Sequence, residues 1–495
     1  MKKKRNVTQP NVNELIEQAL QYHRTLLSPQ EYEALLKELD QPLYSAIRIN
    51  PLKASQSDLE IWQQTYGWQL QAVPFCPTGW WVKEAQTAPG QTIEHRLGSY
   101  YIQDAASMLP VELFDFDGNS SPLILDMAAS PGGKTTHLIS RTADKGMVIA
   151  NDSSLERITA LRLILQTWGA VHTAVTNFPG EKFGGWFPET FDRILLDAPC
   201  SMQNLRSTES HPMRPISEKE RLTLSQRQTR LLTSAIQALK TGGQVVYATC
   251  TLAPDEDEAV LDNILYSFGS SVRINNLSSK LPTPAPGLLS DGRRKYHPGV
   301  QQAARLYPHR FATSGFFCAL ITKTAPVETP VYNLPLRPLE KVGLKRLQTR
   351  ERDELCNMLK NAYGFDFENF MQMENIDLWQ RQEQVYILPE TWIQHFGTVP
   401  FQAVGMLLGE FSSDGFAPAH EWISRFAARF TQGKVSLDQQ QSNAWLRGED
   451  IQGSFPMPDL PAHTAAIFDE NNRLLGRGKV FTGRLKNLLP RRILF

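Results

Sequence analysis

Two cysteines in this sequence stand where a side chain could attack. Cys200 lies in Asp197-Ala198-Pro199-Cys200-Ser201 and Cys250 in Tyr247-Ala248-Thr249-Cys250-Thr251-Leu252, each just past an apolar run that reads as a strand. Taken singly, a cysteine is more often a small buried hydrophobe than a nucleophile. Two thiols at the ends of two strands in one sheet would share a rim, and that is harder to dismiss. The chemistry open to such a pair is thiolate addition to an electron-poor carbon. Carbon-5 of a pyrimidine is a poor nucleophile until a group adds at carbon-6. A thiolate that adds and later leaves would activate it, with a nearby carboxyl group bonding the base edge and steadying charge on the ring nitrogen.

A ligand turn precedes both thiols. Leu123-Ile124-Leu125-Asp126 reads as a buried strand, Met127 to Gly133 as a tight small-residue turn, and Thr135-Thr136-His137-Leu138-Ile139 as the first turns of a helix. Gly132 and Gly133, lacking a Cβ, would let the backbone approach a ligand closely. Two ligands compete for the turn. Ala128-x-x-x-x-Gly133-Lys134-Thr135 is one residue from the phosphate-cradling loop of NTPases, with Arg193-Ile194-Leu195-Leu196-Asp197 as a possible metal-holding strand. The rival is a turn that holds the methionine part of S-adenosylmethionine. The next strand, Met147 to Asn151, ends at Asp152, near the roughly 20-residue offset at which an acid meets ribose hydroxyls in doubly wound folds. An anion there would do nothing for a phosphate site, so the sequence favours the nucleoside ligand.

Composition bounds the rest. At 495 residues and 41% apolar content the chain is globular and too long for one ordinary core. A formal net charge of +0 argues against holding nucleic acid by bulk charge, so any RNA site must be local. Basic residues cluster at Lys2-Lys3-Lys4-Arg5, at Arg293-Arg294-Lys295 and between Arg477 and Arg492. Five cysteines without a C-x-x-C pair indicate neither a disulfide framework nor a zinc site, and point to reduced thiols in a cytoplasmic protein. No apolar run approaches the roughly 20 residues of a membrane span.

The elements that must position these groups follow from hydrophobic period. Asn11 to Asp40 is helical, with a capping box at Ser28-Pro29-Gln30-Glu31. Arg48-Ile49-Asn50-Pro51 leads into a Trp-, Pro- and Gly-rich stretch, Pro74 to Gly90, that reads as strands and turns; the first region, 1–115, is therefore an α+β subdomain. From 116 to 325 strands and helices alternate, with strands expected at Leu123–Asp126, Met147–Asn151, Ala170–Asn177, Phe191–Asp197, Gly243–Thr249 and Gly315–Ile321. That pattern predicts a doubly wound, mostly parallel Rossmann-like α/β sheet whose ligands sit beyond the C-terminal strand ends. Asp126, Asp152, Asn177, Asp197 and Cys250 would then lie on one rim. A proline-rich linker at 326–338 precedes an intermediate α+β domain at 339–400, with a helical piece at Glu340 to Ala362, and a β-rich module at 401–495 whose basic strands suit a phosphate backbone.

The motifs together resemble a known family. Asp126-x-Ala128-Ala129-Ser130-Pro131-Gly132-Gly133-Lys134-Thr135, Asp197-Ala198-Pro199-Cys200-Ser201 and Ala248-Thr249-Cys250-Thr251-Leu252 with Glu256-x-Glu258 are similar to the Nol/Nop/Sun family of RNA cytosine-5 methyltransferases. Gln103 to Met108, Leu306-Tyr307-Pro308-His309-Arg310 and Gly315-Phe316-Phe317 resemble its flanking motifs. The N-terminal layout and the Gly476-Arg477-Gly478-Lys479 and Leu485-Lys486-Asn487 endings are closest to its bacterial 16S ribosomal RNA members. The resemblance runs from about Arg48 to Thr324 and is looser over the C-terminal third, where it implies a PUA-like RNA-binding domain.

What the resemblance implies is specific. Cys250 is the nucleophile and Cys200 the second thiol that helps release the product. Asp197 contacts base and methyl donor, with Lys134 beside it. Ala128, Ala129, Ser130, Pro131, Gly132, Gly133 and Lys134 cradle the methionine end of S-adenosylmethionine, Asp152 takes the ribose, and Asn177 stands where the family has an acid facing the adenine. The partner is RNA, 16S rRNA in the small ribosomal subunit, and the protein a cytoplasmic monomer without a metal. Three departures stand out: Asn177-Phe178-Pro179-Gly180, Met202-Gln203-Asn204 where the family has Gly-x-Gly, and Ser207 to Pro212 without the usual basic pair. They keep open an rRNA-binding ribosome-assembly factor with impaired catalysis; a tRNA cytosine-5 enzyme is a further alternative.

Overall fold

The structure is a computed structural model that describes residue 17 and residues 20–116, 121–206, 214–459 and 462–495. The Lys2 to Arg5 cluster, most of the stretch from Asn11 to Leu20 and the loop from Ser207 to Pro212 lie outside the described residues.

After the Pro29–Leu39 helix, capped by Ser28 accepting from the Glu31 amide, four strands form an antiparallel sheet. They are β1 (Ala46–Ile49), β2 (Gln69–Ala72), β3 (Gly79–Glu84) and β4 (Tyr100–Gln103), in the order β2-β3-β1-β4. The packed rings of Trp62, Trp68 and Tyr100 fill one face. Arg48, fully buried, donates to Gly133 O at 2.9 Å and to Thr136 Oγ1 at 2.7 Å. Asn50 Nδ2 donates to Gly98 O and Trp168 O. The subdomain is thus fastened to the helices that flank the ligand turn. A second joint joins Cys76, Glu112 and His137: His137 Nε2 lies 2.9 Å from Glu112 Oε1, and Arg141 takes the other oxygen. Burial, with Arg48 nearby, pulls the His137 imidazole down to about 4, so it is neutral at pH 7.

The central sheet holds β5 (Leu123–Asp126), β6 (Met147–Asn151), β7 (Thr173–Thr176), β8 (Phe191–Asp197), β9 (Leu239–Thr249), β10 (Val272–Ile274), β11 (Ala304–Leu306) and β12 (Phe316–Lys323). Its order is β10-β12-β9-β8-β5-β6-β7, parallel from β9 to β7, with β12 antiparallel at one side and β11 on β12. Along these strands successive side chains enter opposite cores. Leu125, Ile149, Ile194, Leu196 and Val245 join one cluster, and Ile124, Val148, Leu195 and Val246 the other. A strand buried on both faces reads as an unbroken apolar run, which is why these were legible in the sequence. The chain order reverses at β5, between β6 and β8, and a ligand crevice opens at such a point.

The C-terminal region departs from the expected partition. Strands β13 (Lys345–Arg346), β14 (Ile376–Arg381) and β15 (Gln384–Pro389) form one sheet with β17 (Met406–Ser412) and β18 (Gly415–Pro418), so this unit runs through residue 400 rather than ending there. Between them β16 (Ala403–Val404) pairs antiparallel with Val175 and Ala174 at the edge of the central sheet. The helix expected from Glu340 begins at Thr349, because Pro338 and the turn at Gly343 interrupt the chain first. A last sheet holds β19 (Lys434–Leu437), β20 (Ile451–Gln452), β21 (Thr464–Asp469), β22 (Leu474–Phe481) and β23 (Arg484–Asn487), in the order β19-β21-β22-β23-β20. Several basic groups proposed for phosphate are spent inside the protein: Arg477 donates to Pro418 O, Lys479 pairs with Asp414 and Arg492 with Glu421.

Candidate active site

The rim of the central sheet is built from strand ends. Asp126 closes β5, Asp152 follows β6, Asn177 follows β7, Asp197 closes β8 and Cys250 follows β9. Cys200, three residues beyond β8, lies against Cys250, Sγ to Sγ 2.8 Å, and both thiols are free and half-buried. The two sulfurs, 50 residues apart in sequence, meet over one site.

Lys134, on the first turn of the Gly133–Arg141 helix, lies beside the sulfurs and forms an ion pair with Asp197, Nζ to Oδ2 2.7 Å. Burial disfavours its ammonium, but Asp197, Cys250 and Asp126 outweigh that and hold it above the ordinary lysine value. A cation so held keeps its charge and favours negative charge on a neighbouring sulfur. Cys200 is pushed well above the usual thiol range, first by its hydrogen bond with Cys250, then by burial and by the charges of Cys250 and Glu256.

The turn from Ala128 to Lys134 closes over the end of β5. A Cβ on Gly132 (φ +120°) would meet Leu161 and Ile164 at 3.1 Å, and one on Gly133 would meet Tyr101 at 2.8 Å, so the glycines also let the turn pack against its protein neighbours. Asp152 is fully buried; its oxygens accept from the amides of Ser130 and Ser154 and from Arg157. Asn177 gives an amide hydrogen to Asp152 O at 2.7 Å, so it braces the carboxylate's segment.

The residues present fit a methyl donor with an amino-acid end. Asp126 Oδ2 accepts from Thr135 Oγ1 at 2.6 Å, whereas Oδ1 is buried without a partner. A buried acceptor lacking a donor is costly, and an ammonium group would complete it. Burial raises this carboxyl to about 7, with Asp197 and Asp152 adding to the effect against Thr135 and Lys134. The first amides of the Gly133–Arg141 helix have no partner within the helix and suit a carboxylate.

Two groups that the motif reading missed hold the cysteine loops. Behind Cys250, Arg305 bonds Glu258 through two nitrogens, 3.0 and 2.9 Å, and donates to Leu252 O at 2.9 Å, all of them buried. Thr249 Oγ1 donates to Asp257 Oδ1 at 2.6 Å. Burial opposes the Arg305 charge, yet Glu258 leads the groups that hold it above the ordinary arginine value. Behind Cys200, Gln228 Nε2 donates to Pro199 O and to Glu256 Oε2, which also accepts from the Ser201 amide. The acidic run Glu256 to Glu258 was the available signal; its buried cation, some 50 residues on, had none.

Comparison with known proteins places the chain in a family. A family model described as 16S rRNA methyltransferase RsmB/F matches residues 116–322, and one described as the N-terminal domain of 16S rRNA methyltransferase RsmF matches 16–105. Ribosomal RNA small subunit methyltransferase F of Aeromonas salmonicida is 33% identical over 457 residues, 91% of each chain. That of Citrobacter koseri is 31% identical over 476 residues, 96% of this chain and 95% of its own. Among solved structures, a methyltransferase homolog from Pyrococcus horikoshii is 28% identical, with TM-score 0.53, covering 63% of this chain and 99% of its own. NSun6 from Pyrococcus horikoshii, solved with SFG, has the same fold at 21% identity and TM-score 0.50, covering 62% of this chain and 98% of its own.

Proposed function

The chain belongs to the RsmB/F family of 16S rRNA methyltransferases, and from that premise we propose that it methylates carbon-5 of a cytosine in 16S rRNA through a covalent cysteine adduct. It depends on S-adenosylmethionine, which supplies the electrophilic methyl group when bound. The observation that carries the reading is the contact of Cys200 and Cys250, Sγ to Sγ 2.8 Å, beside the Lys134–Asp197 ion pair.

Each residue has a task in this scheme. Asp126 Oδ1, with the turn from Ala128 to Lys134, receives the amino-acid end of the donor, and Asp152 with Asn177 shapes the ribose side. Asp197 hydrogen-bonds the base edge. Cys250, attacking as the thiolate beside the Lys134 ammonium, forms a bond to carbon-6 and leaves carbon-5 electron-rich, ready to take the methyl group. Once Cys250 is a thioether, it no longer binds the Cys200 proton or adds its charge. The largest cause of Cys200's raised value is then gone. Cys200 then gives its own proton to solvent, its thiolate takes the proton from carbon-5, and the electron pair of that carbon–hydrogen bond expels the sulfur from carbon-6, returning Cys250 as thiolate.

The target base must leave its stack, at a cost of a few kcal/mol that RNA contacts elsewhere must offset. We assign those contacts to the N-terminal subdomain and the C-terminal β-rich region. The test is to supply radiolabelled methyl donor with small ribosomal subunits, naked 16S rRNA or tRNA, and to map the labelled base. A labelled 16S cytosine is expected. Label confined to tRNA would move the substrate, and no label on any RNA would leave an rRNA-binding assembly factor. Cys200→Ala should accumulate a covalent RNA adduct and Cys250→Ala none; the reverse would exchange their roles.

A further inference from the structure

The loop after Cys200 carries two left-handed residues, Met202 at φ +59° and Leu205 at φ +67°. Neither is glycine, and each is strained in that conformation unless its surroundings impose it. On the side of the catalytic domain, Leu252 N donates to Gln203 O at 3.0 Å and Gly315 N to Asn204 O at 2.8 Å; a second hold comes from the N-terminal helix. Arg206, 8% exposed, donates from NH1 to Gln41 O at 2.8 Å and from NH2 to Glu38 O at 2.8 Å, and pairs with the Glu38 carboxylate at 3.3 Å. It thereby caps the C-terminal carbonyls of the Pro29–Leu39 helix, where a cation is favoured. Leu205 packs in one cluster with Leu35 of that helix and Leu252 of the other cysteine loop.

We propose that Arg206 is a positioning residue for the release step. Its grip on the N-terminal helix holds the Met202–Leu205 segment in its strained form and so keeps Cys200 against Cys250. This rests on the reading of Cys200 as the release thiol. The guanidinium spans two carbonyls at once, which a single ammonium cannot do. The N-terminal helix is on this view a part of the catalytic apparatus as well as an appended module, because the loop carries Met202 and Leu205, not glycine, at its left-handed positions.

The test uses the full-length protein with 16S rRNA and follows two quantities, single-turnover methyl transfer and the SDS-stable protein–RNA adduct. Arg206→Ala should leave methyl transfer within about twofold, slow multiple turnover about tenfold and accumulate adduct, the factor expected from strain left unsupported at one residue. Arg206→Lys should fall between, and keeps the test alive should the alanine variant fail to fold. Met202→Gly added to Arg206→Ala should restore turnover, because glycine adopts the left-handed form without support; a loss of general stability alone would not be read as adduct. Wild-type adduct levels in both Arg206 variants, or adduct that Met202→Gly does not relieve, would overturn the proposal. If Cys200→Ala itself gives no adduct, the underlying reading of Cys200 fails instead.

Discussion

The two cysteine loops reach the same point by opposite means. The Cys250 loop continues a strand of the central sheet, has ordinary backbone angles, and is held from beneath by the buried Arg305, Glu258 and Asp257. The Cys200 loop leaves its strand, passes twice through the left-handed region, and is held on one side by the buried Gln228 and Glu256 and on the other by the N-terminal helix. One sulfur is fixed by a buried ion cluster; the other is fixed by separate hydrogen bonds, part of them from another subdomain. That suits a nucleophile that must be placed before the base arrives and a partner that must act only after the adduct has formed.

The contrast predicts unequal costs. Arg305→Ala should be the most damaging change, since it leaves the Glu258 and Asp257 carboxyls buried without their cation; breaking such a group costs about 3–5 kcal/mol. Urea unfolding should report it, with Gln228→Ala losing only about 1–2 kcal/mol for its two hydrogen bonds. Equal losses would erase the distinction between a loop held by an ion cluster and one held by separate hydrogen bonds.

Asp126 sharpens the comparison on the donor side. Its carboxyl, raised to about 7 by burial, is partly protonated at neutral pH, and bound ammonium favours the ionised form. Donor binding should therefore release a proton, and affinity should fall as pH drops below about 7, approaching tenfold per unit. For the free protein the sign is opposite: a carboxyl raised on folding stabilises below its unfolded value near 4 and loses that stabilisation as pH rises through about 7. Asp126→Asn should flatten the binding profile measured by calorimetry between pH 6 and 8; an unchanged profile would remove Asp126 from the donor site.

The strands that carry the site were legible because burial on both faces leaves little alternative to an apolar run. Leu123–Asp126, Met147–Asn151 and Phe191–Asp197 stand where expected, and the convergence of Cys200 with Cys250 followed from their ends. Pairings that depend on distant chain were not legible. That Ala403–Val404 pairs with the edge of the central sheet at Val175 had no signal of its own in the sequence. Arg305 and Arg206 carry no motif signal, and only the fold shows them buried against carboxylates. The glycines of the ligand turn were recognised, but their packing against Leu161, Ile164 and Tyr101 was not, because those residues come from other elements.

The smallest predicted effect separates the loops by sign rather than size. Met202→Gly removes a left-handed side chain and should stabilise the protein by about 1 kcal/mol, less the entropy glycine adds to the unfolded chain. Thr251→Gly, the same kind of change one residue past Cys250, meets no left-handed backbone. It also forfeits the Thr251 hydroxyl, which lies 3.2 Å from Ser201 Oγ and accepts from the Ala253 amide at 3.2 Å, so it should destabilise by about 1–2 kcal/mol. Thermal unfolding of the two variants should move in opposite directions. Movement in the same direction would mean that the Cys200 loop is not strained, and its dependence on outside support would lose its physical basis.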